Sequence, residues 1–148
     1  MKRILPLVLA CIFAAPVAGE TAIDDPDEVL VIGIETTDLN EFIWKKRPIV
    51  VFADSPNDPL FEEQMELLLS RPDALRTRDV VILTDTDPSA RSELRQKLRP
   101  RGFMMVLIGK DGGIKLRKPF PWDVREISRS IDKMPIRQRE IRNSKNAD

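Results

Sequence analysis

Residues 103–117 read FMMVLIGKDGGIKLR, and this stretch predicts a β-hairpin. Its first part, Phe103–Ile108, is an unbroken apolar run of the kind found in strands that are covered on both faces. The turn that follows contains Gly112 and Gly113, which tolerate the positive φ that tight turns need. Apolar and charged residues then alternate from Ile114 to Arg117, as in an edge strand with one face in water. We therefore expect two neighbouring antiparallel strands.

Three further apolar runs precede the hairpin, at residues 29–32, 49–52 and 80–83. None of them alternates, so we expect strands with helices on both faces of their sheet. Carboxylates that can cap a helix indicate where the helices start. They are Asp38, Asp58, Asp87 and Asp123, and a proline follows Asp58 and Asp87 in the first turn. The predicted order is β-α-β-α-β-α-β-β-α. This order predicts an α/β protein with a mixed central sheet and is that of the thioredoxin-like fold.

The N-terminus has the pattern of a secretory signal peptide over residues 1–19. Lys2 and Arg3 precede an apolar stretch, and small residues follow it, so we expect cleavage after Ala18 or Gly19. The expected location is then periplasmic or secreted, and the apolar stretch is too short for a transmembrane segment. A buried N-terminal helix is the alternative. The sequence VLAC at residues 8–11 also resembles a lipobox, but the apolar run continues past Cys11, which argues against a lipid anchor there.

The remaining chain is long enough for one domain. We expect an acidic arm at residues 20–28, a thioredoxin-like domain at 29–135 and a basic C-terminal tail at 136–148. Pro135 should end or kink the last helix, which would leave that tail loosely held. The whole chain has 24 basic and 24 acidic residues, so nothing indicates binding of nucleic acid.

The composition excludes several chemistries. The chain has no histidine, no tyrosine and one cysteine, Cys11, which lies in the predicted leader. Without Cys11 the mature chain can carry out neither thiol–disulfide exchange nor cysteine-based peroxide reduction. Zinc and copper sites need Cys or His, and we expect no cofactor. The spaced oxygens of residues 85–89 suit calcium in principle, but a strand end followed by a helix cap explains them better.

In thioredoxin-like proteins the reactive cysteines lie after the second strand, at the start of a helix. The corresponding residues 52–59 of this chain read FADSPNDP. Ser55 is the one hydroxyl in this turn, and it would need a lysine or a carboxylate as its base, because no histidine is present. Asp54 and Asp58 flank it. The preferred interpretation is structural: Asp58 caps the helix and Asp54 bonds to loop amides.

Two further expectations concern packing. Arg47 stands just before a central strand and Asp79 just before its neighbour, so the two side chains are expected to pair. Trp44 and Trp122 stand at element boundaries, where we expect them to close the core.

Residues 103–117, with IDKMPIR at 131–137, RPIVVF at 47–52 and RDVV at 78–81, resemble a bacterial family known as a domain of unknown function. That family is similar to the P-DUDES domain of animal sushi-repeat and coiled-coil extracellular-matrix proteins, which is regarded as thioredoxin- or peroxiredoxin-like. The resemblance covers roughly residues 35–142. It implies adhesion or matrix binding and assigns no catalytic residue.

The first hypothesis is therefore an exported, non-catalytic binding domain whose partner is a protein or an envelope or matrix component. The residues of its candidate interaction surface lie on the turn after the second strand, on the facing loop and on the hairpin: Asp54, Ser55, Asn57, Asp58, Arg101, Lys110, Asp111 and Arg117. A redox-associated enzyme that uses an added cofactor or the thiol of a partner is the alternative. A structural or stress-related envelope protein without a ligand is the third.

Overall fold

The computed structural model describes residues 31–33 and 38–147. The predicted leader, the acidic arm and the first half of the first predicted strand lie outside the described residues. The described strands form one five-stranded sheet in the order β1-β3-β2-β4-β5. The strands are β1 (Val31–Gly33), β2 (Arg47–Phe52), β3 (Val80–Asp85), β4 (Met104–Ile108) and β5 (Ile114–Lys118). β1 and β2 run parallel to β3, whereas β4 runs antiparallel to β2 and to β5.

Five α-helices connect or follow these strands: α1 (Pro59–Leu69), α2 (Pro72–Arg76), α3 (Glu93–Leu98), α4 (Val124–Asp132) and α5 (Pro135–Lys145). Short 3-10 helices cover Leu39–Phe42 and Pro88–Ala90. All four predicted caps are confirmed, because the side chains of Asp38, Asp58, Asp87 and Asp123 each accept a hydrogen bond from a backbone N–H two residues later. Each bond satisfies a donor that the first turn of a helix leaves unpaired.

The sheet separates two apolar layers. Ile49 and Val51 of β2 face the layer that α1, α2 and α4 cover. Val50 and Phe52 face the other layer, which includes Leu94 and Leu98 of α3. Because both faces are covered, the central strands carry apolar side chains in both directions, and this explains their continuous apolar runs. The predicted α/β class and mixed sheet with helices on both faces are confirmed.

The predicted hairpin is also confirmed. Leu107 pairs with Leu116, and β5 is an edge strand of the described sheet. Gly112 adopts a φ of +81°, in the left-handed region that favours glycine.

Four predictions about helices were wrong or incomplete. The segments capped by Asp38 and Asp87 are single 3-10 turns, so α3 starts later and is capped by Ser92, and the short helix α2 was not predicted. The larger error concerns the C-terminus, where we expected a loosely held tail. Pro135 does follow the end of α4, but it occupies the first position of α5, where its missing N–H costs nothing. Salt bridges hold α5 against β2 and the β4–β5 hairpin, because Glu140 Oε1 lies 3.1 Å from Arg47 Nη2 and 2.7 Å from Lys110 Nζ.

Of the packing predictions, the one for Trp122 is confirmed, and those for Trp44 and for the Arg47–Asp79 pair are wrong. Trp122 packs against the first apolar layer, as expected, whereas Trp44 is 68% exposed and closes no core. The predicted pairing of Arg47 and Asp79 is wrong for the side chains: only the Arg47 N–H reaches the Asp79 carbonyl, at 2.7 Å. The Arg47 guanidinium instead donates to the Arg78 carbonyl and to Glu140. The Asp79 carboxylate instead accepts a hydrogen bond from Lys110 Nζ at 2.7 Å.

Candidate functional site

The turn between β2 and α1 lies where the fold would place reactive cysteines. Ser55 Oγ accepts a hydrogen bond from the Asn57 N–H at 3.2 Å, and Asp58 accepts one from the Leu60 N–H at 2.9 Å. Asp54 and Asn57 are exposed, and the predicted bonds from loop amides to Asp54 are wrong, because its carboxylate accepts no hydrogen bond among the described residues. Two of the oxygen atoms that the sequence singled out therefore stabilise the turn itself, as the structural interpretation predicted for Asp58.

The loop before β4 faces this turn. Gly102 has a φ of +61°, and Asp54 Oδ2 lies 4.0 Å from the point where a Cβ on Gly102 would stand. Arg101, next to it, is exposed. We call the exposed face formed by residues 54–58 and 101–102 the acidic-turn surface.

A buried ion pair lies beneath this surface, and sequence reasoning missed it. The Asp85 carboxylate, at the carboxyl end of β3, lies 3.0 Å from Arg95 Nε, and the side chains are 5% and 10% exposed. Ser92 Oγ donates to the same carboxylate at 2.6 Å. Arg95 Nη2 also donates to the Ala53 carbonyl at 2.6 Å, so one guanidinium joins the ends of β2 and β3 to α3. The sequence contained an indication of this pair. A carboxylate at the end of a buried strand, such as Asp85, requires a positively charged partner, and Arg95 follows the apolar residue Leu94.

A cavity of about 400 Å³ opens beside this ion pair. Its wall includes Gly33 of β1, Thr84 and Asp85 of β3 and the following residues 86–87. The acidic group Asp87 in this wall has a lowered pKa, because its carboxylate accepts hydrogen bonds from the side chain and backbone of Ser89. Asp87 thus acts as a cap, as predicted, but the element that it caps is a 3-10 turn and not the expected helix.

The candidate residues of the hairpin lie elsewhere. Phe52 pairs with Met104 and Ile49 pairs with Leu107, so β4 carries the chain away from the acidic-turn surface. Lys110 and Asp111 therefore lie at the opposite end of the sheet. Asp111 accepts hydrogen bonds from Lys115 Nζ at 2.9 Å and from a backbone N–H of the turn, and these lower its pKa.

Arg117 belongs to neither end. Its Nη1 donates to the Leu98 carbonyl at 2.6 Å, which satisfies one of the last acceptors of α3. The eight predicted surface residues thus lie in three separate places. Five of them lie together on the acidic-turn surface: Asp54, Ser55, Asn57, Asp58 and Arg101.

The end of the sheet opposite the acidic-turn surface contains a second cluster of charged side chains, which the sequence did not reveal. Glu140 accepts hydrogen bonds from Arg47 and Arg137 and forms a salt bridge with Lys110. Burial of Glu140 opposes ionisation, but the hydrogen bonds from Lys110 and Arg47 outweigh it and lower the pKa to about 2. Arg78 binds both oxygens of Asp132 and thereby lowers the pKa of that group.

Comparison with known proteins gives the family. The model of the domain of unknown function DUF4174 matches residues 38–140. This chain belongs to the DUF4174 family. The match covers the sheet from β2 onwards, the acidic-turn surface and α5 as far as Glu140.

Solved structures give the fold of this DUF4174 member. It superposes on a reduced 2-Cys peroxiredoxin of Plasmodium vivax with a TM-score of 0.54 and 17% identity, covering 70% of this chain and 85% of the other. A chloroplastic thioredoxin z matches with a TM-score of 0.46 and 24% identity, covering 72% and 93%. At 17% identity the likeness to the peroxiredoxin shows the thioredoxin-like fold alone. The matched region 38–140 contains no cysteine. Among the described residues, no helix has the length and apolar character to cross a membrane.

Proposed function

We propose that this DUF4174 chain is an exported, non-catalytic domain that binds another protein through its acidic-turn surface. The observation that carries the proposal is that hydrogen bonds hold the backbone of this surface while charged side chains remain exposed on it. Asp54, Pro56 and Asn57 are exposed, and the Ser55 and Asp58 oxygens accept hydrogen bonds from backbone N–H groups. Arg95 of the buried Asp85–Arg95 pair donates to the Ala53 carbonyl at the base of the turn. A preorganised turn loses little conformational entropy when a partner binds.

The position of the surface supports the same proposal. In open α/β sheets, ligands bind outside the carboxyl ends of the strands, and β2 and β3 both end here. Asp54 and Arg101 supply exposed charges of opposite sign, which favour a partner with complementary charges over an apolar one.

The expected compartment and relatives extend the proposal. We take residues 1–19 to be a signal peptide, and we place the mature protein in the periplasm or outside a bacterial cell. The resemblance to the P-DUDES domains suggests a partner in the envelope or extracellular matrix. N-terminal sequencing of the protein from its native compartment tests this: a start at Glu20 or Gly19 supports export, and a retained Met1 contradicts it.

Site-specific photo-crosslinking tests the binding surface. A photoreactive residue at Asn57 should give one discrete adduct in the native cell, because this position is exposed at the centre of the turn. The matched control is Glu66, which is exposed on α1 outside the surface. Asp54→Lys should reduce the Asn57 adduct several-fold. Equal adducts at both positions, or none at Asn57, would overturn the proposal.

A further inference from the structure

A second cavity lies at the opposite end of the sheet from the acidic-turn surface. It has a volume of about 370 Å³ and opens between the turn before β2, the β4–β5 hairpin and the start of α5. Residues of its wall that carry the following argument are Trp44, Arg47, Lys110, Lys115, Ile136 and Arg139. This volume suits a small organic molecule.

The wall carries an excess of positive charge. Lys110 and Arg47 share the single carboxylate of Glu140, at 2.7 and 3.1 Å. Asp79 also pairs with Lys110, and Arg137, outside the wall, pairs with both Glu140 and Asp132. Among the residues that line the cavity, four side chains are cationic and one, Asp111, is a carboxylate.

Arg139 and Lys115 stand at the rim of the same cavity. Lys115 pairs with Asp111, which also contributes to the wall, whereas the exposed Arg139 forms no ion pair among the described residues. An anion that entered would therefore meet one uncommitted guanidinium without breaking a salt bridge.

Arg47 shows that the cationic wall is incompletely satisfied. Its side chain is 1% exposed, and its Nε has no hydrogen-bond partner. A buried N–H of a charged group that lacks an acceptor is costly, and a nearby negative charge would reduce that cost.

The start of α5 adds donors at the same place. Met134 is the N-cap residue and gives no side-chain cap, and Pro135 occupies the first position. The N–H of Ile136, whose residue lines the cavity, has no acceptor among the described residues. The positive end of an eleven-residue helix thus faces a cavity with cationic walls, which is a favourable environment for an anion.

Trp44 provides the apolar part of the wall. Trp44 is 68% exposed, and Met134 and Ile136 line the same cavity. A planar or apolar group would bury the indole face while its charged end reached the cations.

We propose that this cavity binds a small organic anion, a carboxylate or phosphate attached to a planar or apolar group. The negative group is held by Arg139, Lys110 and the start of α5, and the apolar group packs on Trp44. The site is separate from the acidic-turn surface, and neither depends on the other.

Phenyl phosphate is a suitable probe because it combines a ring with a dianion. Titration should change the tryptophan fluorescence in a saturable manner, and Trp44→Phe should remove the change. Arg139→Glu should weaken binding by about tenfold, the effect of one charged contact. The matched control is Arg142→Glu, an exposed arginine of the same helix outside the wall, which should change binding less than about twofold.

Three comparisons make the test decisive. Inorganic phosphate should compete more weakly than phenyl phosphate, and benzyl alcohol should not bind. In two-dimensional NMR, the Ile136 amide and the Trp44 indole should shift, whereas the Gly102 amide should not. An absence of saturable change up to about 10 mM would overturn the proposal. So would equal weakening by both arginine variants, or binding to anionic phospholipid vesicles without binding to phenyl phosphate.

Discussion

Replacement of Glu140 by glutamine should remove a pH-dependent part of the stability. The carboxylate contacts Arg47 and Lys110, and its pKa falls from the ordinary 4.5 to about 2 in the folded protein. Since each pKa unit corresponds to about 1.4 kcal/mol, this lowering of the pKa corresponds to roughly 3 kcal/mol of folding stability. Water reaches 25% of the side chain, and the resulting screening lowers the expected effect to about 2 kcal/mol.

The sign follows from linkage. Because folding lowers the pKa of Glu140, its contribution is fully present above pH 4.5 and is lost as the pH falls through about 2. The free energy of unfolding of the wild type should therefore exceed that of Glu140→Gln by about 2 kcal/mol at pH 7. The difference should approach zero near pH 2, since a protonated Glu140 resembles glutamine.

Urea unfolding of both proteins at several pH values between 2 and 7 measures this difference. Glu66→Gln is the matched control, because Glu66 is exposed and forms no ion pair among the described residues. The control should follow the wild type at every pH. A difference between wild type and Glu140→Gln that is absent at pH 7, or that does not change with pH, would refute the reasoning.

Two further predictions concern buried polar groups. Arg95→Ala should lower the free energy of unfolding by about 3–5 kcal/mol, since it leaves the buried Asp85 carboxylate unpaired, whereas Lys97→Ala on the same helix should cost less than about 0.5 kcal/mol by urea unfolding. Gln64→Leu should cost about 2–4 kcal/mol, because Gln64 alone among the described side chains satisfies both the N–H and the carbonyl of Trp122, at 2.8 and 3.0 Å. A thermal midpoint for Gln64→Leu equal to that of the wild type would contradict this assignment.

The strands and caps could be predicted because their signals are local. An unbroken apolar run reports burial on both faces, and Asp58 before Pro59 reports a helix start, without reference to the rest of the chain. The prediction of a loose C-terminal tail failed because a proline has two meanings. Pro135 cannot continue α4, but it is well suited to the first position of a new helix.

The candidate surface was only partly predictable, because the sequence does not show how strands pair. Lys110 and Asp54 were assigned to one surface, and the antiparallel pairing of β4 with β2 separates them. The Arg47 guanidinium donates to Glu140, which lies 93 positions away in the sequence, and no local sequence pattern indicates such a partner. The exposure of Trp44 likewise depends on the turn around it, where its φ is +64°.

The central claim is that this DUF4174 domain has a thioredoxin-like fold without thiol chemistry. Peroxide consumption by purified residues 20–148 in the presence of dithiothreitol tests it most directly. We expect a rate equal to that of buffer with dithiothreitol, because the only cysteine, Cys11, lies outside this segment. Consumption that rises in proportion to protein concentration would contradict the claim and would support an enzyme that uses an external thiol.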